Sequence, residues 1–121
     1  MNGAKDDRLY LVHILESIER IRRYTVDGRD AFLADDKTQD AVVRNLQTLA
    51  ESTQRLAPET RARYPGIDWR RIGQFRNVVV HQYRTLNYAR IWSVVETYLD
   101  PLERAISDAL ARLDSPPESE E

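Results

Sequence analysis

The chain has 121 residues, no cysteine and a formal net charge of −2. That length suits one domain with a core of its own, and the missing thiols exclude disulfides, cysteine nucleophiles and cysteine-based zinc sites. No apolar run approaches the roughly 18 to 20 residues that span a bilayer, and Met1 to Asp7 lack the basic-then-apolar order of a signal peptide. A cytoplasmic protein without a membrane segment is expected.

From about Lys5 to Tyr24, the residues Leu11, Ile14, Leu15, Ile18 and Ile21 recur at helical spacing. Asp27-Gly28 ends that helix, and Phe32 and Leu33 form an apolar hook, read as a loop or single turn. A second helix runs from about Lys37 to Leu56, capped by Asp35 or Asp36, with Val42, Leu46, Leu49, Thr53 and Leu56 on one face. Pro58 suits the first turn of a short helix reaching Arg63, which Tyr64-Pro65-Gly66 breaks. Asp68 caps a helix from Trp69 to about Arg84, with Ile72, Phe75 and Val79 on its core side. Asn87 precedes the last helix, Tyr88 to Leu113, striped by Ile91, Val95, Tyr98, Leu102, Ala105 or Ile106, Ala109 and Leu113. The fold class is therefore all-α: an antiparallel up-and-down bundle of four main helices plus a short fifth, over residues 1–113. Residues 114–121, with Ser115-Pro116-Pro117 and then acids, predict a disordered acidic tail.

Charge is segregated along the chain. Residues 55–90 carry eight arginines against Glu59 and Asp68, whereas residues 91–121 carry two basic and eight acidic side chains. Guanidinium groups grip phosphate in a two-pronged fork. The block fits either a phosphate-bearing partner or a solvated helix face.

Arg76-Asn77-Val78-Val79-Val80-His81-Gln82-Tyr83 lies inside that block and holds one of only two histidines. If the helix ran through the whole octet, Arg76 and Tyr83 would nearly eclipse each other, about 20° apart. Asn77 and His81 would be neighbours, and Arg76 and His81 would diverge by about 140°. An imidazole titrates near ~6.5 and suits proton transfer, so His81 is a candidate general acid or base. Arg76 is a permanent planar cation suited to a developing phosphorane. Asn77 could orient His81 or hydrogen-bond the phosphate. By spacing alone, His81 reads more readily as a core-edge residue than as a catalyst, and Arg76 could pair with Glu51 or another acid across helices.

The octet resembles the Arg-x4-His-x-Tyr signature of HEPN-domain ribonucleases of the HepT type, the toxins of HepT/MntA toxin–antitoxin pairs. The likeness extends to Asp40-Ala41-Val42-Val43-Arg44-Asn45-Leu46, Glu51, Tyr64-Pro65-Gly66-Ile67-Asp68-Trp69 and Ile91-Trp92, covering roughly positions 5 to 110. It departs at Arg84-Thr85-Leu86-Asn87-Tyr88, where the family often has a more acidic, glycine-containing turn. The resemblance implies a HEPN-like bundle and a metal-independent endoribonuclease acting on tRNA or mRNA, with its site in a homodimer cleft. Arg76 and His81 would be catalytic, Asn77 and Tyr83 supporting, and Asn45 and Glu51 groove-lining or behind the reacting residues. The resemblance further implies that an MntA-type nucleotidyltransferase silences the toxin by adenylylating Tyr83. No cofactor and no metal are expected.

A second reading comes from a different class: a non-catalytic helical partner that binds a nucleotidyltransferase and nucleotides, with the octet as docking surface. Other chemistries lack their residues. Two histidines 68 positions apart do not gather a metal, and the four glycines form no phosphate loop. Ser17, Ser52, Ser93 and Ser107 have no nucleophile-elbow context. Trp69 and Trp92 start helices on apolar stripes and read as core, and His13 receives no role.

Overall fold

The computed structural model describes residues 7–114. The start of the first predicted helix at Lys5 and residues 115–121 of the expected tail lie outside them. Among the described residues six α-helices follow one another: α1 (Arg8–Tyr24), α2 (Arg29–Ala34), α3 (Asp36–Gln54), α4 (Pro58–Ala62), α5 (Trp69–His81) and α6 (Tyr88–Asp114). A 3-10 turn, Tyr83–Thr85, joins α5 to α6. Among the described residues there is no strand, and no helix is long and apolar enough to cross a membrane.

Apolar spacing makes the long helices. On α1, Leu11, Ile14, Ile18 and Ile21 are buried, and on α3 so are Val42, Val43, Leu46, Leu49 and Ala50. Side chains three and four residues apart share a face, and burying each Leu or Ile stabilises by about 1.5–3 kcal/mol. Caps fix the starts. Asp35 accepts the Lys37 N–H at 3.2 Å, Asp68 the Arg71 N–H at 3.0 Å and Asn87 the Arg90 N–H at 3.2 Å. Each withdraws one donor that the first helical turn would otherwise leave unpaired.

Four expectations are corrected. The apolar hook is a helix, α2, so the bundle has two short helices instead of one. Gly28 starts it at φ 93°, in the left-handed region that glycine tolerates. The Gln39 amide then donates to the carbonyls of Phe32 and Leu33, both at 3.1 Å, holding the hook down. On α6, Tyr98 is exposed and Leu99 takes its place, because the buried phase runs Val95, Leu99, Leu102, Ile106. Asp114 closes α6 instead of opening the tail. Helix α5 ends at His81, not Arg84, and Leu86, after the 3-10 turn, packs against the core.

The packing is antiparallel and open on one side. Helix α1 lies between α3 and α6, α2 bridges α3 and α6, and α5 rests chiefly on α3. The Trp92 ring lies 5.5 Å from Phe32, and Tyr88 meets Phe32 edge-on at 6.2 Å. Trp92 is thus core. Trp69 is half-buried, its indole N–H donating to the Arg61 carbonyl at 3.0 Å and that of Tyr64 at 3.2 Å. The consequence for function is the edge position of α5.

Candidate active site

Helix α5 carries Arg76, Asn77 and His81, and its composition explains its position. Of its thirteen residues Val79 alone is fully buried, while Ile72 and Phe75 are half-buried and pack against the core. Val78 and Val80 are exposed. One narrow apolar stripe anchors the helix, and the rest of its circumference is polar or open.

The cleft side of the seam with α3 is polar. The Gln54 amide donates to the Trp69 carbonyl at 3.2 Å and lies across α5 at Gly73, where a β-carbon would come within 2.9 Å of Gln54 Oε1. Further along, Arg76 Nε and Nη2 donate to Glu51 Oε2 at 3.3 and 3.2 Å. The same oxygen accepts from Gln47 at 3.3 Å. Arg76 Nη1 donates to the Asn77 side-chain oxygen at 3.2 Å. Three donors of one guanidinium are thereby oriented. The Arg76 and Glu51 side chains keep 37 % and 43 % of their surface exposed, so the pair contributes only ~0–1 kcal/mol. It aims the guanidinium without sealing it from solvent.

Beyond Arg76 the predicted residues separate. His81 is exposed in the last turn of α5. Tyr83 has left the α-helix for the 3-10 turn, so it does not eclipse Arg76 as a continuous helix would require. Its hydroxyl donates to Asp40 on α3 at 3.1 Å. That hydrogen bond and the negative charge of Asp40 push the phenol above its ordinary value. Asn45 turns its amide back to the Ala41 carbonyl of its own helix, at 2.9 Å.

A cleft of about 860 Å³ opens along this seam. Arg76, Asn77 and Glu51 line it, as do Tyr10, Gln54, Arg55, Arg70 and Gly73. His81, Tyr83 and Asn45 are not in its lining. The structure therefore joins Arg76, Asn77 and Glu51 in one place and sets His81 and Tyr83 beyond it, toward the end of α5. Sequence reasoning missed Asp40 and Gln47 as partners and gave Arg55 and Arg70 no separate role. The arginine excess of residues 55–90 was the one signal that pointed toward the last two.

Known proteins resemble the chain across this region. The family model described as "Ribonuclease HepT-like" matches residues 14–109. The chain belongs to the HepT-like ribonuclease family. A Methanocaldococcus jannaschii protein named "Putative RNase" is 37% identical over 92 residues, 75% of this HepT-like chain and 76% of the relative. The "Probable ribonuclease HepT" of Thermococcus cleftensis is 30% identical over 95 residues, 78% of this chain and 86% of its own length. A second M. jannaschii protein, named for gamma-glutamylcyclotransferase and putative RNase, is 34% identical over 111 residues. The aligned region is 91% of the HepT-like chain but 50% of that relative. No solved structure gives a significant match. RNA cleavage is the activity that family membership supports, and the matched residues include α5 and the whole seam with α3.

Proposed function

We propose that this HepT-like chain is an endoribonuclease that cuts tRNA or mRNA without a metal, using Arg76 and His81. One observation carries the reading: Arg76 stands at a solvent-open cleft with its guanidinium aimed by Glu51 and Asn77, and His81 lies exposed on the same helix. The chemistry needs little more. A base takes the proton of the ribose 2′-hydroxyl, and the 2′-oxygen attacks phosphorus. An acid then protonates the departing 5′-oxygen, while Arg76 stabilises the charged phosphorane. The products are a 2′,3′-cyclic phosphate and a 5′-hydroxyl.

Arg76 and His81 leave an α-helix about 140° apart, which argues against a complete site within one chain. A homodimer resolves the divergence: two copies of α5 face each other, and the two His81 side chains divide acid and base duty. The edge position of α5 and its exposed Val78 and Val80 support that arrangement, since a second copy would cover them. Tyr83 fits the role of adenylylation acceptor in a toxin–antitoxin pair. It is 49% exposed, so its hydroxyl can attack the α-phosphorus of a nucleoside triphosphate held by a nucleotidyltransferase, releasing pyrophosphate and the phenolic proton. The attached phosphodiester adds negative charge beside the site and blocks RNA.

The test is cleavage of labelled tRNA and mRNA in EDTA by protein whose intact mass shows no adenylyl group. Wild type is expected to leave cyclic-phosphate and 5′-hydroxyl ends, and His81→Ala to lose about 10²–10⁴-fold in rate. Cleavage that leaves 3′-hydroxyl ends, or that stops with chelator, contradicts the mechanism.

A further inference from the structure

The cleft continues past Arg76, away from His81, to the end where α3 finishes and α5 begins. Arg55 follows the last residue of α3, and Arg70 is the second residue of α5. Both are exposed and both line the cleft. Some arginines on other faces are matched to acids: Arg22 to Asp100 and Glu103, Arg112 to Asp108, Arg8 to Asp114. Among the described residues Arg55 and Arg70 make no ion pair. The one acid in the lining, Glu51, is already engaged by Arg76. This end of the cleft therefore holds uncompensated positive charge.

Its other walls suit a nucleotide. The Arg55 guanidinium lies 6.0 Å from the centre of the Tyr10 ring, which leaves its outer face and edge for a ligand. The floor is amide. Gln54 can lie flat over α5 because residue 73 is glycine, and its nitrogen is committed to Thr53 at 3.1 Å and the Trp69 carbonyl. Gln54 Oε1 and the Asn77 amide nitrogen are the hydrogen-bonding groups these two side chains keep for a ligand in the cleft. Arg70 and Arg76 are six residues apart on α5, about 9 Å along the axis, a span that one flanking nucleotide bridges.

We propose that this cleft is a subsite for the nucleotide of single-stranded RNA that neighbours the cleaved one. Its phosphate lies between Arg55 and Arg70, and its base lies against the amides of Gln54 and Asn77. The proposal rests on the ribonuclease reading and specifies how the strand enters: along the α3–α5 seam, from the α5 N-terminus toward His81. Extension of the RNA on one side of the scissile bond strengthens binding, and extension on the other does not use this cleft.

The experiment measures binding of 2′-O-methyl oligonucleotides, which cannot be cleaved by 2′-hydroxyl attack, in a series from two to six residues lengthened on either side. Wild type is compared with the Arg55→Gln/Arg70→Gln double variant, both checked for helicity. One-sided lengthening is expected to tighten binding to wild type. The double variant loses about tenfold of that gain, and its log affinity against log salt flattens by about one to two. On cleavable RNA the same variant shows a matching rise in KM. Identical length and salt dependence in the two proteins, with wild type cleaving RNA, overturns the subsite and spares the ribonuclease reading. An adenylyl-free wild type that cleaves nothing removes that reading, and the subsite falls with it.

Discussion

Two seams of the molecule have opposite character. Between α1 and α6, α6 buries Ile91, Val95, Leu99, Leu102, Ile106 and Ala109. Arg22 bridges Asp100 at 2.5 Å and Glu103 at 2.8 Å along the rim, and Arg8 meets Asp114 at its end. Between α3 and α5 the facing residues are Gln54, Glu51, Gly73, Arg76 and Asn77, and the helices leave a cleft. Branched apolar side chains interdigitate and expel water, whereas amides and guanidiniums stay hydrated and hold a gap. One seam keeps the bundle folded. The other stays open to solvent.

Breaking the closed seam produces the largest effect on stability. Leu102→Ala empties a fully packed position on α6 and lowers the unfolding free energy by about 2–5 kcal/mol, read from a urea transition. Arg22→Ala removes only the rim, where Arg22 is 43% exposed, and costs less than about 1 kcal/mol in the same assay. A loss as large as that of Leu102→Ala would mean that the rim carries the seam. The smallest effect sharpens the open side. In Asp40→Asn the acceptor loses its charge, so the Tyr83 phenol falls back toward its ordinary value near ~10. Its tyrosinate absorbance then rises at lower pH than in wild type. An unchanged titration would deny the Tyr83–Asp40 contact.

The packed core was the part legible in the sequence. Leu11, Ile14, Ile18 and Ile21 on α1 and Val42, Leu46, Leu49, Thr53 and Leu56 in the α3 region are all buried, as their three- and four-residue spacing requires. The stripe on α6 slipped by one residue at Tyr98 because tyrosine and leucine are both apolar enough to hold a stripe, and tertiary packing chose Leu99. Short or terminal features were less legible. Six residues in α2 give no periodicity, and no glycine or proline after His81 announces that α5 stops there.

The open seam was legible only in its motif. Arg76, Asn77, His81 and Tyr83 stand out as residue types, but what each touches depends on pairs far apart in sequence. Arg76 and Glu51 are 25 positions apart, and Tyr83 and Asp40 are 43 apart. No spacing rule reaches that far. Nor does composition separate Arg55 and Arg70 from the other arginines of their block until α3 and α5 are laid side by side.

The most direct test of this division is Arg76→Ala, followed through both urea unfolding and RNA cleavage. Its guanidinium makes an exposed, weak pair yet is proposed to stabilise the phosphorane. The account predicts a change of less than about 1 kcal/mol in unfolding free energy with a 10²–10³-fold loss of cleavage rate. Cleavage that survives the substitution, or that falls only as far as the folded fraction does, would contradict it.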